Sequence, residues 1–142
     1  MIKISIDRLK HSIGVARFME QTAYDLGWSE AECQEMFLLG YLHDIGYEFA
    51  QVTDEHSSVG GKLLKAQHYP YWREVAYHGS VDCKYASVEL DLLNTADLSV
   101  NAQGENVGVV ERLKDIANRY GDNSRQHLNA KALAQKLKLI PA

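Results

Sequence analysis

Apolar residues recur along most of this chain at a helical period, and short polar or glycine-containing breaks separate the runs. Ile13, Val15, Ala16, Phe18, Met19, Ala23 and Leu26 mark a first helix over about residues 7–26, with Asp7 as its cap and Gly27 as its stop. Ser29 followed by Glu32 forms a capping-box pair ahead of the run Met36-Phe37-Leu38-Leu39-Gly40-Tyr41-Leu42. That run is apolar on nearly every side, which predicts the central, buried helix, ending near Asp44-Ile45-Gly46. Asp54 is placed to cap a third helix through His56, Val59, Leu63 and Leu64 to about Gln67. Pro70 suits the first turn of a short fourth helix that ends near His78-Gly79.

The same reading continues to the end of the sequence. A fifth helix is expected over about 85–100, a loop over 103–106, a sixth helix over 107–120 and a break at 121–124. A last amphipathic helix over about 125–138 ends in lysines that suit its C-terminal dipole. No segment shows the two-residue alternation of a half-buried strand, and no internal repeat is present. The pattern is that of an all-α, single-domain helical bundle of about six to seven helices over 1–142.

Composition narrows the function classes. The chain has 142 residues, 46% of them apolar, enough for one core. Its formal net charge of −4 provides no general field for duplex nucleic acid. The opening MIKISIDRLK lacks the apolar stretch of a signal peptide, and no run reaches the ~20 apolar residues of a membrane span. Cys33 and Cys83 are the two cysteines, without CxxC spacing. That usage fits a reducing compartment, and the expected location is the cytoplasm.

The chemistry lies in one ordered set: His11, His43-Asp44, His56, His78 and Asp97. The His-Asp pair offers an imidazole and a carboxylate from one helix end, and the others fall on separate predicted helices. A bundle can bring inward-facing residues of several helices to one centre. Mixed imidazole and carboxylate donors suit Fe, Mn, Zn, Ni or Co better than Ca or Mg alone. Glycines accompany the candidates. Gly60 and Gly61 sit inside the third helix, where each costs on the order of 1 kcal/mol relative to alanine. Close approach of a ligand or of a neighbouring helix would compensate. Asn94, Asp97 and Asn101 share a face and suggest a polar pocket. His68 and His127 read as ordinary surface or hydrogen-bonded histidines, and Tyr69, Tyr71 and Trp72 as packing around Pro70. Lys131, Lys136 and Lys138 read as a solvated helix face.

The order H…HD…H…H…D resembles the HD-domain superfamily of metal-dependent phosphohydrolases, with the HDIG variant as His43-Asp44-Ile45-Gly46. The segments His11–Ala16 (HSIGVA) and Ala96–Val100 (ADLSV) are similar to its first and last motifs. The resemblance spans about residues 7–101 and leaves the last two helices uncovered. It implies that His11, His43, Asp44 and Asp97 hold a first divalent cation. Asp44 would bridge to a second held by His56 and His78. A water between the cations would attack phosphorus, so that Asp44 and His43 stand at the catalytic centre. The cofactor implied is one or two divalent ions, Fe, Mn, Co, Ni or Zn, with Mg also compatible. Candidate substrate contacts are Lys62, Lys84, Gly60 and Gly61, with Arg17 weaker. The stretches around Ser80 and Glu48 would add supporting hydrogen bonds. In size and ligand count the chain is most similar to the YqeK-type hydrolases of diadenosine tetraphosphate. It departs from their usual lysine three residues after the Asp of the pair, where Tyr47 stands.

The resulting expectation is a phosphomonoesterase, phosphodiesterase or pyrophosphohydrolase acting on a nucleotide or other small phosphoester. A homodimer is compatible with it; duplex nucleic acid and membrane are not expected partners. Two alternatives share the ligand order: an HD-type di-iron oxygenase, and a non-catalytic ligand-binding or sensor module.

Overall fold

The computed structural model describes residues 5–48 and 56–142. Among them are seven α-helices and no strand: α1 (Ile6–Asp25), α2 (Glu30–Leu42), α3 (His56–Ala66), α4 (Trp72–Tyr77), α5 (Val88–Asp97), α6 (Val109–Tyr120) and α7 (Arg125–Lys136). A short 3-10 turn, Ile45–Glu48, follows α2. One isolated antiparallel bridge, Val100 to Asn106, closes the loop after α5. The all-α architecture expected from the hydrophobic period is the one observed.

Local chemistry accounts for the helix ends. Ser5, and not Asp7, caps α1: its hydroxyl accepts the Arg8 N–H at 3.1 Å. Asp7 falls in the first turn, where a carboxylate still complements the helix dipole. At the other end Gly27 takes a φ of 81°. Its N–H reaches the Tyr24 carbonyl, and the Trp28 N–H reaches the Ala23 carbonyl, both at 3.0 Å, which closes a Schellman motif. The Ser29/Glu32 capping box starts α2 with both of its reciprocal bonds formed. α5 starts later than the apolar pattern suggests because Ser87, two residues after Tyr85, caps it by accepting the Leu90 N–H at 2.9 Å. The cap proposed at Asp54 lies outside the described residues.

One expectation about α2 is overturned. Only the face carrying Cys33, Met36, Leu39 and Gly40 is buried; Leu38 and Tyr41 remain 45% and 41% exposed. A helix apolar all round has here been packed on one side.

α1 and α2 form an antiparallel pair whose close approach is set by Gly40. A Cβ on Gly40 would meet the Ala16 backbone at 2.6 Å. Around this pair Val15, Met19, Met36, Leu39, Leu64, Val75, Leu93, Ala96 and Val100 form the main core, with Tyr69, Tyr71 and Trp72 packed against it. A second apolar cluster joins α6 and α7 to the end of α5 through Leu98, Leu113, Ala130, Leu133 and Ala134. No helix of the described residues is long and apolar enough to cross a membrane.

Candidate metal centre

Helix ends place most of the candidate ligands. His43 is the C-cap of α2, His78 the C-cap of α4, His56 the first residue of α3 and Asp97 the last of α5. Asp44 follows His43 directly, and His11 comes from the second turn of α1. All six meet at one point between the helices.

Asp44 lies in the middle, and its two oxygens face different partners. Oδ2 is 3.2 Å from His43 Nε2 and 3.9 Å from His11 Nε2. Oδ1 is 3.3 Å from both His56 Nε2 and His78 Nε2. Asp97 closes the first side: its Oδ1 is 2.8 Å from His11 Nε2 and 3.4 Å from His43 Nε2. His56 Nε2 and His78 Nε2 are 3.3 Å apart on the second side. Two groups of donor atoms lie close enough to hold one ion each, His11–His43–Asp97 and His43–Asp44–His78.

The imidazoles are aimed by their other nitrogen. His43 Nδ1 donates to the Gly40 carbonyl and His78 Nδ1 to the Val75 carbonyl, each at 2.6 Å. Both acceptors lie three residues back in the last helical turn, where carbonyls lack the regular donor four residues on; the Gly40 carbonyl also takes the His43 backbone N–H at 3.5 Å. The same device thus completes two helix ends and fixes two tautomers with Nε2 facing the centre. His11 Nδ1 donates at 3.1 Å to the Asn101 carbonyl in the loop after α5. That loop reaches α1 because Gly14 has no side chain; a Cβ there would fall on the Gly104 backbone.

Charge balance fits a cation. His43 is fully buried, and its Nε2 has no hydrogen-bond partner although two carboxylates stand nearby. Burial disfavours a charge on His43, yet Asp44 and Asp97 outweigh it and raise its pKa well above the usual value. Burial likewise works against ionised Asp44, but His43, His56 and His78 hold its carboxyl well below the usual range. Asp97 is depressed in the same way, against burial, by His11 and His43. Two carboxylates among inward-aimed imidazoles therefore call for positive charge, which a divalent ion between the donors would supply. The residues present fit such an ion.

A cleft of about 500 Å³ opens from this centre. His11, Asp44, His56, His78 and Asp97 form part of its wall, and the cations Arg8, Arg112 and Arg119 form another part. Arg112 also braces the centre: its Nε donates to the Asp97 carbonyl at 3.2 Å, and its Nη1 pairs with Asp115 at 3.1 Å. α7 contributes Gln126 and Asn129. The residues expected to touch substrate lie elsewhere. Lys62 and Lys84 are exposed and do not line the cleft, nor does Arg17. Gly60 and Gly61 serve helix packing: a Cβ would press on Gly46 and Val75 in the first case and on Ala76 in the second. Ser80 accepts the Cys83 N–H within its own turn, and the Glu48 side chain lies outside the described residues.

Two supporting residues, Ser57 and Asn129, carried no signal that singled them out. Ser57 donates to the His78 carbonyl at 3.2 Å and lies 3.4 Å from His56 Nε2. Asn129 donates to the Gly79 carbonyl at 2.8 Å. Asn94, which the sequence placed on a face with Asp97, is buried and accepts the Gly79 N–H at 2.8 Å. The pair holds both polar backbone atoms of the residue after His78.

The HD domain family model matches residues 8–103, which contain the six convergent residues. No match was found among curated proteins or among solved structures.

Proposed function

The chain belongs to the HD-domain family, and on that premise we propose that it is a metal-dependent phosphohydrolase acting on a nucleotide or other small phosphoester. The observation that carries the reading is the position of Asp44, with one carboxylate oxygen toward His11 and His43 and the other toward His56 and His78. A carboxylate so placed can serve two cations at once. His11, His43, Asp44 and Asp97 would hold the first and His56, His78 and Asp44 the second. Fe, Mn, Co, Ni and Zn suit these donors, and Mg is compatible. Divalent ions held there supply Lewis acidity, making a water nucleophilic near neutral pH and neutralising charge on phosphate oxygens.

The chain's own residues do the rest. The Nδ1–H bonds of His11, His43 and His78 keep their Nε2 lone pairs directed inward. Arg8, Arg112 and Arg119 face the cleft, where guanidinium groups recognise phosphate oxygens. The cleft's volume lies within the range of small-molecule sites. The finer reading, a dinucleoside polyphosphate such as diadenosine tetraphosphate, rests on the resemblance in motif order.

The test is hydrolysis by purified protein loaded with Mn, Fe, Co, Ni or Mg. The panel runs from mononucleotides and phosphomonoesters to diadenosine tetraphosphate. Phosphate release that disappears in His43→Ala and Asp44→Ala is the expected result. Firm metal binding with no hydrolysis across the panel would refute the enzymatic reading.

A further inference from the structure

One helix supplies a continuous stretch of the cleft wall. Arg112, Asp115, Ile116, Arg119 and Tyr120 all line it. Their spacing along the chain places them on a single face of α6. At the helical rise per residue the stripe extends about 12 Å. It starts at the metal centre, where Arg112 Nε reaches the Asp97 carbonyl at 3.2 Å. It ends at Tyr120, the last residue of the helix, which is 50% exposed. Leu113 and Ile116 seat the helix on the second apolar cluster, so the stripe has a fixed place beside the centre. The HD domain match ends at residue 103, before α6 begins.

A charged helix face usually turns to bulk water, and Arg112 with Asp115 alone would be an ordinary pair three residues apart. Here the face borders the cleft, and its chemistry is ordered with distance from the centre. The cation Arg112 comes first, the Asp115 carboxylate one turn out, and the Tyr120 ring about two turns out. A carboxylate repels phosphate, so Asp115 adds nothing to a wall that reads phosphate alone. It is suited to accept from neutral donors. A carboxylate offers about four lone-pair sites, and the bond from Arg112 to Oδ2 uses one of them. The hydroxyls of a sugar are such donors. Tyr120 offers a flat face on which a nucleobase of any identity stacks. Phosphoryl group, sugar and base follow one another in a nucleotide in that same order.

We propose that this face of α6 recognises the nucleoside part of the substrate, with Asp115 accepting from the sugar hydroxyls and Tyr120 stacking on the base. The proposal rests on the phosphohydrolase reading and locates its selectivity in a helix that the family match does not cover. Asp115 and Tyr120 take no part in bond cleavage.

Calorimetric titration of the Mn-loaded protein with three phosphonates tests this, because a carbon–phosphorus bond is not hydrolysed at such a centre. The ligands are the methylene isostere of adenosine 5′-monophosphate, its 2′,3′-dideoxy form and methylphosphonate. Wild type is expected to bind the first most tightly and methylphosphonate most weakly. Asp115→Ala should bind the first ligand roughly 10-fold more weakly and no longer prefer it to the dideoxy form. Tyr120→Ala should lose roughly 5- to 20-fold on both nucleoside ligands, whereas Tyr120→Phe should keep wild-type affinity. Equal losses on all three ligands in Asp115→Ala would show that the residue acts only through Arg112. Tyr120→Ala binding both nucleoside ligands as wild type does would refute the stacking. Wild type binding all three alike would overturn the proposal and leave the phosphate site standing. Wild type that binds none of them and hydrolyses no phosphoester would remove the phosphohydrolase reading itself.

Discussion

Gly46 and Gly27 show how differently one residue type can act at the scale of a single position. Gly27 has a φ of 81° and nothing within 4 Å of a would-be Cβ. Gly46 is crowded instead, against the His56 carbonyl and the Gly60 N–H. Gly27→Ala is therefore expected to cost about 1–2 kcal/mol from backbone strain alone, with bound metal unchanged. Gly46→Ala must push the 3-10 turn away from α3, at a cost of about 1–3 kcal/mol, and should reduce bound metal as well. Denaturant unfolding together with metal content after desalting checks both; equal metal loss in the two variants would contradict the distinction. The identities of His11, His43, Asp44, His56, His78 and Asp97 were legible in the sequence because few other uses need those residue types in that order. What aims them was not. The acceptors at Gly40, Val75 and Asn101 are backbone carbonyls, which every residue has, so sequence carries no mark of them.

At the scale of elements, the centre is assembled from helix ends, and each end is held by a neighbour. Gly79, just past the C-cap of α4, has its N–H bound by Asn94 of α5 and its carbonyl by Asn129 of α7. Asn94 is buried and Asn129 exposed. Asn94→Ala leaves a part-buried N–H without its acceptor and should cost about 1–3 kcal/mol, with weaker metal binding through His78. Asn129→Ala lets water replace the lost donor, so about 0.5–1 kcal/mol or less is expected. Thermal melts with and without added metal measure both, and a larger loss in Asn129→Ala would reverse the assignment. The helix pattern was legible through α7 because apolar period and caps are local signals. The contribution of α6 and α7 to the cleft was not. Arg112, Arg119, Gln126 and Asn129 reach it through tertiary packing of the second apolar cluster, which no spacing in the chain reveals. Lys62 and Lys84 are near His56 and His78 in sequence, yet they are exposed and do not line the cleft. Arg119 is exposed, whereas Arg8 and Arg112 are half-buried. If it meets substrate phosphate, Arg119→Ala should raise KM roughly two- to fivefold and leave kcat unchanged, as for a screened charge contact. A fall in kcat at constant KM would place it in another role.

Over the whole molecule, the centre is also the junction of the fold. α1 through α5 each bring a side chain to it or border it directly, and the main core packs around the same helices. Without positive charge between them, Asp44 and Asp97 must be compensated by proton uptake on histidine, which the raised His43 pKa reflects. A divalent ion provides that compensation from the same place and touches several helices at once, whereas the unfolded chain offers its donors far apart. Binding to the folded state alone adds stability by mass action, about 2.7 kcal/mol at a free-ion concentration 100 times the dissociation constant. For a chain of this length that corresponds to a rise in Tm of roughly 6–10 °C. Chelation followed by desalting should therefore lower Tm by that amount, and adding Mn or Co back should restore it. Asp44→Ala should melt at one temperature with or without metal, since it removes the carboxylate that faces the histidines on both sides of the centre. His68→Ala, at an exposed histidine that does not line the cleft, should keep the full metal-dependent shift. A wild-type Tm insensitive to chelation and re-addition would show that no ion couples these helices.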